Sequence, residues 1–103
     1  MGVMKKKKVT ANSRAHVYYS GRVQGVGFRF TAERIALDLG VTGWVKNLSD
    51  GRVEVLCEGP RERIEALLEG IRRSPLGSKI TKTACAWESP TDEFPDFRVE
   101  FDL

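Results

Sequence analysis

Apolar positions fall with two different spacings along this chain, and each change of spacing marks an element. From His16 to Val23 they alternate, with Val17 and Tyr19 on one face, which predicts a strand. From Phe28 the spacing lengthens. Phe28, Ala32, Ile35, Ala36 and Leu39 share one side of a helix over residues 28–39, and Gly40 can cap its end. Val41–Lys46 and Arg52–Glu58 read as two more strands. Asn47-Leu48-Ser49-Asp50-Gly51 joins them, and its Asp-Gly ending is a hairpin signal. Pro60 suits the first position of a second helix, in which Ile64, Leu67, Leu68 and Ile71 make a core stripe at i, i+3, i+4 and i+7. Glu62 and Glu65 near its start and Arg72 and Arg73 near its end complement the helix dipole. Gly70 weakens its last turn and Pro75 closes it. Lys79–Trp87 predicts a fourth strand, and Phe97, Val99 and Phe101 alternate with Arg98, Glu100 and Asp102 in a short final one.

The order is βαββαβ plus a short C-terminal strand. It predicts an α+β, ferredoxin-like split β-α-β sandwich, in which one antiparallel sheet carries two helices on one face. The chain of 103 residues is one domain long. Residues 1–14 read as a flexible basic leader and residues 15–103 as a single folded domain.

Charge sharpens that division. Lys5–Lys8 and Arg14 supply five of the 17 basic residues, while none of the 14 acidic ones precedes Glu33. The net charge of +3 therefore belongs to the leader, and residues 15–103 are mildly acidic. Such a leader can bind nucleic acid weakly, without the specificity of a dedicated site. No stretch approaches the ~18 apolar residues of a membrane span, and the start lacks the apolar run of a secretory signal. Lys6 stands where a myristoylation pattern needs a hydroxyl. Two cysteines, Cys57 and Cys85, make no disulfide framework, which points to a reduced, cytoplasmic protein. One histidine, His16, and no Cys-x-x-Cys leave too few ligands for a transition metal. Asn47-Leu48-Ser49 matches a glycosylation sequon, which without a signal peptide is an accident of composition.

Candidate chemistry concentrates in Gly21-Arg22-Val23-Gln24-Gly25-Val26-Gly27-Phe28-Arg29, three glycines and two arginines between a strand and a helix. Glycines let a backbone approach a ligand without a Cβ in the way. A helix start adds unpaired N–H groups and the positive end of its dipole. Arg29, at the helix entrance, carries a planar fork of donors that fits two phosphate oxygens. Together they make a cradle for a phosphate dianion. No Gly-Lys-Ser/Thr follows and the dinucleotide fingerprint is absent, so a nucleotide is not implied. Asn47, at the end of the second strand, can hold a water beside a bound phosphorus. It is also an ordinary turn residue.

These two segments together resemble the signatures of the acylphosphatases. The likeness rests on Gly21–Arg29, on Gly43-Trp44-Val45-Lys46-Asn47 and on Asp50-Gly51. It runs on through Glu58-Gly59-Pro60 and ends in Phe97-Arg98-Val99. It covers residues 15–103, the acylphosphatase-like domain. The resemblance implies hydrolysis of the carboxyl–phosphate bond of a small-molecule acyl phosphate, giving a carboxylate and inorganic phosphate, with no cofactor and no metal. It further implies that Arg29 binds the phosphate, that Asn47 orients the attacking water, and that N–H groups of Gln24, Gly25, Val26, Gly27 and Phe28 complete the cradle. Phosphate and other anions are then product or inhibitor, no specific nucleic acid or membrane partner is implied, and the expected state is a monomer.

Three other readings compete. Cys57-x5-Arg63 matches the phosphate loop of cysteine-dependent phosphatases, although Glu58 and Glu62 would repel phosphate and Pro60 removes an N–H. Tyr18, Tyr19, Trp44 and Trp87 can be imagined as an RNA-stacking platform, but the RNA-binding signature is missing. A family-like domain can also serve inside a larger enzyme, against which the chain ends directly after the last strand. Val17, Tyr18, Ile35, Leu39, Val53, Val55, Leu67, Leu68 and Phe101 read as structural, and Arg22 as a solvated strand-end arginine.

Overall fold

Val53, Val55 and Cys57 alternate with Glu54, Leu56 and Glu58, and the strand that carries them turns the first set toward both helices. The structure is a computed structural model that describes residues 12–101. In order, β1 is Asn12–Gly21, α1 Phe28–Leu39, β2 Thr42–Asn47, β3 Val53–Pro60, α2 Arg61–Arg73, β4 Ile80–Glu88 and β5 Phe97–Glu100, with a 3-10 turn at Pro75–Lys79 before β4. The five strands form one sheet in the order β4-β1-β3-β2-β5. Ala15, Val17 and Tyr19 of β1, Val45 of β2 and the inward residues of β3 meet Phe28, Ala32 and Ala36 of α1 and Ile64, Leu67 and Ile71 of α2 in a single core. Both helices therefore lie on one face, as the ferredoxin-like order requires. No helix among the described residues is long and apolar enough to cross a membrane.

The sheet is mixed rather than wholly antiparallel. β1 pairs antiparallel with β3 and β4, and β2 with β3, but β5 runs parallel to β2. The cause is the connection. The chain leaves β4 at one end of the sheet and crosses the ends of β1, β3 and β2. It re-enters at the far edge from that same end, so β5 must run opposite to β4. Glu58 anchors the crossing: its buried carboxylate accepts the N–H groups of Thr91 and Asp92, both at 2.8 Å, and pairs with Arg14 at 3.3 Å.

Several boundaries shift. β1 begins at Asn12, so Asn12, Ser13 and Arg14, expected in the leader, are strand residues opposite Pro60, Gly59 and Glu58. Lys5–Lys8 lies outside the described residues. Pro60 is the last residue of β3 and caps α2 instead of opening it. β1 also stops short of Val23, at a register shift between Ser20 and Gly21. α1 has the expected bounds, and Gly40 ends it with its N–H on the Leu37 carbonyl at 3.2 Å.

Candidate active site

Strand directions gather the C-terminal ends of β1, β2 and β5 at the end of the sheet opposite the crossing. The loop after β1, the β2–β3 hairpin and Phe101 all start from that end. Gly21 launches the loop. A Cβ there would lie 2.3 Å from the Lys79 carbonyl oxygen, so only glycine lets the backbone turn this close to β4. The Arg22 N–H then bonds that same carbonyl at 2.9 Å. Gly25 and Gly27 both take positive φ, 75° and 81°, and the space where their side chains would stand is open.

Gly27 is the N-cap of α1, with no side-chain cap and no acidic residue in the first helical turn. The N–H of Thr31 bonds the Gly27 carbonyl, so the N–H groups of the preceding helical residues have no carbonyl within the helix. They carry the positive end of the dipole, equivalent to about half a charge. The Arg29 guanidinium lies 5.0 Å from the centre of the Phe101 ring. Among the described residues no carboxylate pairs with it.

Asn47 ends β2, opposite Val53. The hairpin beyond it closes through Leu48 N–H to the Arg52 carbonyl at 2.8 Å and Gly51 N–H to the Leu48 carbonyl at 3.1 Å. Asp50 is held below the usual carboxylate range, chiefly by the Arg52 backbone N–H. Gln24 ties the two segments together: its side-chain amide donates to the carbonyls of Leu48 at 2.7 Å and Arg52 at 2.9 Å. Gln24→Ala is expected to cost about 1–2 kcal/mol of stability, because two partly buried carbonyls lose a donor each. Urea unfolding measures it, and an unchanged midpoint would show the tie to be idle.

The result is a small cavity of about 180 Å³ lined by Val23, Gly25, Gly27, Phe28, Arg29, Phe30 and Asn47. Of the sequence-predicted residues it brings together Gly25, Gly27, Phe28, Arg29 and Asn47. The Gln24 side chain turns to the hairpin instead, and Val26 packs against the core. A family model described as acylphosphatase matches residues 15–99. The chain belongs to the acylphosphatase family. It is 45% identical to an acylphosphatase of Pyrobaculum islandicum over 85% of its own length and 94% of that protein's. It is 47% identical to one from Methylococcus capsulatus, over 87% and 98%. Among solved structures, the acylphosphatase from Bacillus subtilis superposes with a TM-score of 0.79 at 35% identity, over 85% of this chain and 98% of that one. As an acylphosphatase the protein is a hydrolase of acyl phosphates.

The competing features lie elsewhere. Cys57 is fully buried, its thiol faces the Ala15 carbonyl, and burial pushes its pKa up to about 12, which removes the thiolate a phosphatase nucleophile needs. Arg63 instead donates to the Leu39 carbonyl at 3.4 Å. The four aromatics do not share one surface. Tyr19 is buried on the helix side against Phe28, and Trp87 packs against the same core with Arg61 over its ring. Only Tyr18 and Trp44 face the helix-free side. A larger cleft of about 530 Å³ lies between α2 and β4, lined in part by Leu68, Thr83, Cys85 and Trp87, but no motif residue reaches it. Phe101 departs from its expected structural role: it is 60% exposed and stands over Arg29. Phe30, absent from the sequence reasoning, lines the cavity. Its place one residue after Arg29 was the available signal.

Proposed function

We propose that the phosphoryl group of an acyl phosphate occupies the small cavity, with its oxygens on the Arg29 guanidinium and on N–H groups from Gln24 to Phe28. Asn47 orients the water that attacks phosphorus, and no metal takes part. The observation that carries this is the shared cavity: two motifs far apart in sequence line one concavity at the N-terminus of α1.

In the reaction the water oxygen bonds to phosphorus while the bond from phosphorus to the acyl oxygen breaks. The electron pair leaves with the carboxylate, and the water proton passes to the released phosphate or to solvent. The conjugate acid of such a leaving group has a pKa of ~4–5, so no general acid is needed. Phosphoryl transfer asks a protein mainly to position the group and to stabilise charge on its equatorial oxygens. An arginine, a fan of N–H donors and a helix dipole supply that stabilisation. Among the described residues no group of three or more His, Cys, Asp or Glu side chains is arranged to hold a metal. We take the chain further to act as a monomer without a specific nucleic-acid partner, and to work in the cytoplasm, where its two free thiols stay reduced.

Benzoyl phosphate hydrolysis tests this directly. Turnover is expected to persist in excess EDTA and to vary little from about pH 5 to 8, because neither a guanidinium nor a carboxamide exchanges its proton there. Among the described residues no carboxylate or imidazole lines the cavity, and His16 is engaged with Glu54 on the helix-free face. Loss of activity in EDTA, or a bell-shaped profile in that range, would overturn the mechanism.

A further inference from the structure

The cavity is smaller than the ~300–1,000 Å³ of pockets that enclose a whole small molecule. A phosphoryl group placed there leaves the acyl portion outside, against whatever forms the rim. At that rim the surface is unusual. Phe30, 57% exposed, and Phe101, 60% exposed, are two of the three large exposed hydrophobic residues among those described. Their ring centres lie 6.4 Å apart, with the planes inclined by 51°. Single exposed apolar side chains are normal, but two aromatic rings side by side at the mouth of a reactive cavity are not scattered surface. Phe30 also lines the cavity itself, and Phe101 is tied to it through Arg29.

We propose that Phe30 and Phe101 form the acyl subsite and set the enzyme's preference toward acyl phosphates with a flat, aromatic acyl group. Two rings at this inclination leave a notch whose walls offer a third ring a tilted or edge-to-face contact, the geometry aromatic pairs favour. A short aliphatic acyl group covers little of either ring and gains little. The subsite is not required for bond cleavage, which falls to Arg29, the N–H groups and Asn47. Its contribution is binding common to ground and transition states, so it is expected in KM rather than in kcat. This assignment rests on the phosphate site proposed above.

The test is the ratio of kcat/KM for benzoyl phosphate to that for acetyl phosphate. Wild type is expected to favour benzoyl phosphate, and Phe30→Ala to lower the ratio about fivefold to tenfold, chiefly by raising the benzoyl phosphate KM. Phe101→Ala should lower the ratio too but also slow both substrates, because it removes the ring stacked on Arg29. Phe30→Leu, which keeps apolar bulk without a ring, should fall between. Phe30 is exposed on the first turn of a helix, where alanine is well tolerated, so misfolding does not confound the comparison. Asn47→Ala separates the two proposals: it should slow both substrates by the same factor and leave the ratio unchanged. Equal losses on both substrates in Phe30→Ala, or a wild type without preference, would remove the subsite. Undiminished rates in Asn47→Ala alongside a reduced ratio in Phe30→Ala would support the subsite and overturn the water site instead.

Discussion

Arg29→Ala is expected to lower kcat/KM for benzoyl phosphate by about 10³-fold or more, the scale seen when a donor to transition-state charge is removed from a water-poor site. Among the described residues the guanidinium is the one formal positive charge that lines the cavity. In the proposed role, two N–H groups in a rigid fork would grip two phosphate oxygens, and that grip would tighten as negative charge gathers on them. Both parameters should therefore suffer: KM rises because the dianion loses its counter-charge, and kcat falls because the strengthened contact of the transition state is gone. Inhibition by inorganic phosphate should weaken in parallel. The backbone donors and the α1 dipole remain, so some turnover above the spontaneous rate survives. Arg29→Lys restores charge without the fork and should recover only part of the loss. The fold tolerates the change, since among the described residues the side chain makes no ion pair or hydrogen bond, and it stacks on Phe101 at the surface. Arg22→Ala is the control. Its side chain is exposed at the strand end, and near-wild-type kinetics are expected. A loss below tenfold in Arg29→Ala would take phosphate binding away from this arginine.

Much of this arrangement was legible because it is local. α1 announces itself through Phe28, Ala32 and Ala36 on one face, with glycine at either end, and the structure gives the same bounds. The hairpin follows from Asp50-Gly51, and the positive-φ turns of the loop from Gly25 and Gly27. What stayed hidden depends on pairings distant in sequence. Nothing in Phe97–Glu100 says which edge it joins. Its parallel pairing with β2 follows from where the crossing chain enters, and that crossing hangs on Glu58, whose carboxylate serves backbone groups of Thr91 and Asp92. Asn12, Ser13 and Arg14 are polar and show no alternation, yet the ladder to Glu58, Gly59 and Pro60 makes them strand. Alternation with Phe97 and Val99 puts Phe101 in the final strand, as a structural residue. β5 instead ends at Glu100 and releases it to the surface beside Arg29.

Asn47→Ala is expected to reduce kcat by about 10²- to 10³-fold while KM changes less than about threefold. Water has to be held in line with the breaking bond, and a carboxamide does this with one acceptor and two donors without adding charge. Under the proposed mechanism, alanine would leave the water free to take many positions, few of them productive, but would leave the proposed phosphate contacts of Arg29 and the loop intact. The split between kcat and KM is thus the signature of the role. Asn47 sits at the end of β2 with its backbone paired to Val53 and its side chain free of hydrogen bonds among the described residues, so truncation costs the fold little. Asn47→Asp sharpens the comparison. It keeps the shape and places a carboxylate beside the phosphoryl oxygens, so KM should now rise as well through like-charge repulsion. Inorganic phosphate should inhibit Asn47→Ala as well as it inhibits wild type and Asn47→Asp less well. If Asn47→Ala instead raised KM as steeply as it lowered kcat, the carboxamide would be gripping the substrate. The water would then have to be placed by the N–H groups of the loop.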